Sequence, residues 1–348
     1  MFKIEYMNHF LQFIGLFNYK FLQFSIYTLL IFTISCNYEP KDIEKMASKA
    51  QRKSINEKYS KIPIEEILQQ VNGNSLYTEL QNRYRHSLTQ FKSETENDCT
   101  KIVVVILTPE VGKSLSLANT YGIPFILETC SALNIDCIDL TTSIATKEPS
   151  DITLIPDDNH WSKQGSEFIA DLLTELIVKY SKYRNTNTFK DSLRPRIFGD
   201  LPPNTYDVVD GERNLPYHQK VNAQGLRMNH NLIFPKKKQT ILFIGDAQIY
   251  SPYLDNEFIA TNLLQQRFPD KEILNAGNVG YTIEDYLSLY IDKAKYAEPD
   301  VVFVCTNGNN ILDYFFTQRN HYSRLVKAFP PTNLEKTFYN ELYNTNVN

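Results

Sequence analysis

Three apolar runs constrain what this chain can fold into. Ile102 to Leu107 (IVVVIL), Ile241 to Ile244 (ILFI) and Val301 to Cys305 (VVFVC) are continuous, uncharged and rich in β-branched or aromatic residues. A strand with one wet face alternates apolar and polar residues. A run without that alternation fits a strand buried on both faces, as in a parallel sheet covered by helices. Helical spacing surrounds these runs. Ile67, Leu68 and Val71 precede an Asn72-Gly73-Asn74 break, after which Leu76, Leu80, Tyr84, Leu88 and Phe91 continue the pattern. Phe168, Ile169, Leu172, Leu173, Leu176, Ile177 and Tyr180 form a second periodic stretch, with Ser162 as its N-cap. Further helices are predicted at Pro124–Leu133, with Pro124 in the first turn, at Ile259–Phe268, and from a Thr282–Asp285 capping box to about Ala297. Short strands are predicted at Cys137–Leu140 and Ile273–Asn275. Strands alternating with helices predict an α/β fold built on a parallel, doubly wound sheet with flanking helices.

The 348 residues carry 36 Lys and Arg against 40 Asp and Glu, a net charge of −4. That balance lacks the basic footprint of a nucleic-acid binder. Lys236-Lys237-Lys238 is a short solvated run before a strand. Five cysteines (Cys36, Cys99, Cys130, Cys137 and Cys305) are too few and too scattered for a disulfide scaffold. No Cys/His cluster suggests structural zinc, and neither a metal nor an organic cofactor is expected. Cys130 and Cys137 could pair outside the cytoplasm, although a helix-to-strand placement leaves their geometry open.

Residues 21–35 (FLQFSIYTLLIFTIS) contain no charge. As a helix they would rise about 22 Å, short of the roughly 30 Å hydrocarbon core, and they match the apolar region of a secretory signal better. Ser35 before Cys36 is similar to a bacterial lipoprotein signal, in which the cysteine is lipidated, although Thr33 stands where such signals carry Leu. An uncleaved anchor and a buried helix are the other readings of the same stretch. The expected division is a signal or anchor over 1–36, a polar tether over 37–62, an α/β half over 63–182, a Pro-containing connection over 183–239, and a second half over 240–348. The expected location is the cell envelope, outside the cytoplasm, held to the membrane by the N-terminus.

Small and polar residues gather at the predicted strand ends: Gly245-Asp246-Ala247, Asn275-Ala276-Gly277-Asn278-Val279-Gly280, Asn307-Gly308-Asn309-Asn310, and Asp157-Asp158-Asn159-His160. In an open parallel sheet the carboxyl ends of the strands are where ligands bind. These four blocks resemble those of the SGNH (GDSL-like) hydrolases, and Asn222–Arg227 (NAQGLR) resembles a segment that often precedes the first block. Asp158-Asn159-His160-Trp161 is similar to the Asp-x-His-Trp motif of alginate O-acetyltransferase-like proteins. The resemblance implies a flavodoxin-like, SGNH-type sheet and chemistry on ester bonds. His160 would be the general base, and Asp158 or Asp157 its orienter. The backbone N–H groups at 247 and Gly280 and the Asn309 amide would be oxyanion donors. Gly245, Asp246 and Gly308 would brace the turns. This route needs a nucleophile, a base that takes its proton, a carboxylate that orients the base, and preorganised donors for the tetrahedral oxyanion.

Two departures qualify it. Ala247 occupies the nucleophile position, where the family has Ser, and a methyl group cannot attack a carbonyl. Ser251, four residues on, is a poor substitute. The Asp/His block also comes first in the chain, where the family has it last. Either the chain is a circularly permuted SGNH domain, or it joins the end of one copy to the start of another; in the second case only an exchange of halves between two chains would complete a site. Three readings follow: an esterase-like protein of impaired catalysis acting on acylated carbohydrate or lipid esters, a non-catalytic protein that holds an acylated glycan or a partner, or a structural remnant of split or tandem SGNH domains. Each block also has an ordinary structural reading. His160 could bond a nearby carboxylate, the acidic pair could sit at a helix N-terminus, and the glycines could be βα-turn residues.

Overall fold

A computed structural model describes residues 75–110, 117–154, 159–209 and 216–311. The 1–36 segment with Cys36, the 37–62 tether, Asp157, Asp158 and the tail from 312 lie outside the described residues. The chain runs α1 (Ser75–Asn97), β1 (Lys101–Ile106), α2 (Leu117–Ala132), β2 (Asp136–Asp139), α3 (Thr141–Ile144), α4 (Pro149–Ile152) and α5 (Lys163–Tyr180). It continues with β3 (Tyr206–Val209), β4 (Tyr217–Lys220), β5 (Gln239–Gly245), α6 (Ala247–Tyr250), α7 (Ala260–Arg267), β6 (Lys271–Gly277), α8 (Ile283–Asp292) and β7 (Val301–Thr306).

Five of these strands form one parallel sheet in the order β2-β1-β7-β5-β6. Strand β1 from the first half pairs with β7 from the second, from Lys101 opposite Val301 to Ile106 opposite Thr306. The two halves therefore share one sheet within one chain. Counted from β5 as the first strand, the spatial order is 2-1-3-4-5, a common doubly wound order.

The apolar runs are buried on both faces, as their lack of alternation requires. Side chains divide by parity. Ile102, Val104 and Ile106 of β1, with Leu242 and Ile244 of β5 and Val302 and Val304 of β7, meet α1, α2 and α8 on one face. Val103, Val105, Ile241, Phe243, Val301 and Phe303 meet Trp161, α5 and α7 on the other. The period of two along a strand sends neighbouring residues into different cores.

Local signals held where side chains satisfy backbone groups. Ser162 caps α5 and accepts a hydrogen bond from Gly165 N at 3.1 Å. Thr282 and Asp285 form the expected capping box of α8. Three readings differ from the structure. Helix α2 begins at Leu117, so Pro124 lies inside it and not in its first turn; burial of Ile123, Phe125, Ile126 and Cys130 against the sheet outweighs the local cost of proline. Helix α8 ends at Asp292, and residues 294–297 continue as a 3-10 turn. The 183–239 connection is less irregular than its prolines suggest. It contains the antiparallel β3–β4 pair, and Phe198, Leu226, Met228 and Leu232 enter the core.

Candidate functional site

The sheet changes winding direction between β5 and β7, and beyond the carboxyl ends of strands at such a point open parallel sheets bind their ligands. Asp246, directly after β5, is the N-cap of α6. Its carboxylate accepts hydrogen bonds from Gln248 N (2.8 Å), Asn307 Nδ2 (3.1 Å) and Asn310 Nδ2 (3.2 Å). One side chain thus ties the end of β5 to the turn after β7. Burial raises its pKa, and outweighs the lowering by those three hydrogen bonds and by the attraction of His160. Asn310 is held in turn: its Oδ1 accepts from Thr306 Oγ1 at 2.8 Å and from Tyr286 Oη at 3.2 Å.

The Asn307–Asn310 turn is supported from behind by α2. Gly308 N donates to Asn119 Oδ1 at 2.8 Å, and Asn119 Nδ2 donates to Glu110 Oε2 at 2.8 Å. Asn119 is completely buried. The helix approaches so closely that a Cβ on Gly122 would lie 2.5 Å from Gly308 Cα. Gly122→Ala should therefore displace the turn and cost about 1–3 kcal/mol as an overpacking change; a urea titration measures it, and a loss below about 0.5 kcal/mol would contradict this packing.

His160 comes to the segment after β5 from the other half of the chain. An isolated antiparallel bridge between Thr153 and Trp161 folds the segment back beside α4, and Leu154 N donates to His160 O at 3.1 Å. Trp161 is buried, and its indole N–H donates to Gln248 O at 3.2 Å, on α6. The partly exposed His160 ring sits edge-to-face with Tyr253, 5.8 Å between centroids. Asp246, Gln248 and Tyr253 all lie within seven residues of Ala247, and all are in touch with the His160-Trp161 pair by contact or by charge.

The segment after Ala247 is held by Arg227, whose side chain is fully buried. Its guanidinium donates to Asn256 Oδ1 (2.9 Å), to the carbonyls of Tyr250 (2.5 Å) and Ser251 (2.7 Å), and to that of Leu254. Tyr250 and Tyr217 face its charge at 4.8 and 5.2 Å. Within this clasp Ser251 and Tyr253 take left-handed backbone angles, φ of 58° and 66°.

The remaining sequence candidates fall as follows. Ala247 opens α6 and is partly exposed. Ser251 is buried, and its hydroxyl donates to Gln248 O at 3.3 Å. Gly245 packs against Cys305, where an added Cβ would come within 3.0 Å of the Cys305 carbonyl, and its own carbonyl accepts from Asn278 N at 3.0 Å. That bond brings the Asn278–Tyr281 turn against the end of β5. Gly280 lies exposed in this turn with φ of 76°. Gly277 is the buried glycine of the block; a Cβ there would lie 2.4 Å from Tyr250 N. Asn309 is partly exposed beside the two asparagines that bind Asp246.

Sequence reasoning missed Asn119, Tyr253 and the tie made by Asn310. The Asn-rich run at 307–310 was a signal for the last of these. Nothing local marks the other two, because their partners lie far away in sequence or depend on an unusual φ. Among the described residues, no group of three or more His, Cys, Asp or Glu side chains could hold a metal ion. None of their helices is long and apolar enough to cross a membrane.

No family model matches the chain, and no curated protein does. Among solved structures it is similar to the O-acetyltransferase domain of Pseudomonas putida AlgJ, at 13% identity over 72% of this chain and 88% of that one, with a TM-score of 0.45. It is also similar to Pseudomonas aeruginosa AlgX, at 15% identity over 68% of this chain and 59% of that one, with a TM-score of 0.36. At these values the likenesses assign no residue a role.

Proposed function

We propose that this chain is a circularly permuted SGNH-type domain that recognises O-acyl esters, of carbohydrate or lipid, and turns them over very slowly or not at all. The observation that carries the reading is the convergence of His160-Trp161 on the Ala247 turn, through Trp161 Nε1 to Gln248 O and the His160–Tyr253 ring contact. A base, an orienting carboxylate and a nucleophile from distant parts of a chain are useful only when the fold brings them together. Trp161, directly after the base, bonds the residue directly after the nucleophile position, and that position lacks a hydroxyl. In this reading His160 is the base and Asp158 or Asp157 its orienter. The backbone N–H groups at 247 and Gly280 and the Asn309 amide would be the donors to the ester oxygen. An ester carbonyl could then be bound by donors built for its oxyanion without being attacked.

The N-terminal segment belongs to the same proposal. Lipidation at Cys36 would hold the domain at a membrane outside the cytoplasm, where acylated surface glycans are available as ligands. A purely non-catalytic glycan-binding role is the second reading, and Ala247 is what favours it.

The test is hydrolysis of an activated acetyl ester by a soluble form beginning after Cys36, natural chain beside Ala247→Ser. Activity gained only with serine supports the assembled site and makes ligand binding the natural role. A well-folded Ala247→Ser protein with no activity above the natural chain would defeat the proposal.

A further inference from the structure

We propose that Cys130 and Cys137 form a disulfide that staples the end of α2 to edge strand β2. Strand β2 has four residues and pairs with β1 alone, at the edge of the sheet. Short edge strands have few backbone bonds to hold them. The chain reaches β2 from α2 through a tight reversal: Ile135 N donates to Cys130 O at 2.9 Å, and Asn134 takes a left-handed φ of 52°. Along β2 the pleat sends Cys137 to the α2 face, where it packs on the cluster containing Cys130, while Ile138 faces the opposite core. Cys305 belongs to the core on the other side of the sheet and Cys99 is exposed, so the pair is sorted by the fold and not by sequence distance.

Oxidation would remove two protons and two electrons from the two thiols. With glutathione disulfide as oxidant, the more accessible Cys137 thiolate attacks one of its sulfurs and releases glutathione. The Cys130 thiolate then attacks Cys137 Sγ and releases the second glutathione. The neighbouring Cys130 and burial both push the Cys137 thiol up, so the exchange should be slow and faster at alkaline pH. The bond would fix one end of the helix whose other end carries Asn119 and Gly122 against Gly308. This inference does not depend on the ester-site reading.

The experiment is incubation of the purified chain with glutathione disulfide at mildly alkaline pH, followed by denaturing alkylation and peptide mapping. The expected result is a mass loss of about 2 Da and a peptide joining Cys130 to Cys137, both reversed by a thiol reductant. The oxidised protein should melt roughly 5 °C above the reduced one, with no such shift in Cys137→Ser. A Cys130–Cys137 pair that stays open, a reaction that stops at a glutathione adduct on Cys137, or a link to another cysteine would each overturn it.

Discussion

Ala247→Ser is expected to raise turnover of an activated acetyl ester by roughly 10³-fold or more, since loss of a serine nucleophile in such sites costs up to about 10⁶. The change adds one oxygen at a partly exposed position in the first turn of a short helix, so its effect on stability should stay within about 0.5 kcal/mol. In the proposed site the gain runs through His160, the imidazole that packs on Tyr253 and attracts Asp246, one on either side of this position. In the Ala247→Ser background, His160→Ala should remove roughly 10²–10⁴ of the rate, the usual size of general-base assistance. Asp157→Asn and Asp158→Asn in the same background would separate the two orienting candidates: the true orienter should cost roughly 10³–10⁴, the other little. Were serine at 247 active but indifferent to His160, His160 would not be its base.

What the sequence discloses here depends on how local each cause is. The buried strands were legible because a run such as IVVVIL has one explanation, and β1, β5 and β7 lie at the three interior positions of the sheet. Caps were legible because Ser162 and Thr282 satisfy N–H groups within three residues. The start of α2 was not: Pro124 argues locally for a helix boundary, and only the burial of Ile126 and Cys130 overrides it. The same division runs through the site. Strand-end positions of Gly245, Asp246 and Gly308 follow from the strands that precede them. The meeting of Trp161 with Gln248 follows from the sharing of one sheet by two halves, a consequence of β1 pairing with β7 that no window of sequence contains. Arg227 sat inside a segment already singled out, yet its task was invisible, because four of its partners lie 23 to 29 residues downstream.

That task predicts the largest stability effect in the molecule. Arg227→Met should cost about 3–5 kcal/mol, because it strips one shared donor from four acceptors at once. Methionine fills much of the volume, so the loss reports polar bonds more than a cavity. It would leave the Tyr250, Ser251 and Leu254 carbonyls and Asn256 Oδ1 without this donor, and each buried acceptor left unpaired costs about 1–3 kcal/mol. The guanidinium has a second role. Ser251 and Tyr253 are non-glycine residues at positive φ, a conformation that costs of order 1 kcal/mol or more apiece and persists only where surrounding bonds hold it. The clasped carbonyls at 250, 251 and 254 bracket both residues. Without Arg227 the turn can relax, and Tyr253 would leave the ring of His160. Arg227→Lys keeps the charge but not the planar fork, and should fall between the natural chain and Arg227→Met. Urea denaturation gives the stabilities, and amide exchange over residues 250–254 gives the local consequence. A loss below about 1 kcal/mol with unchanged exchange would mean that the turn holds its left-handed residues unaided. A large loss, with exchange accelerated there first, would make Arg227 the residue through which the 183–239 connection positions the candidate site.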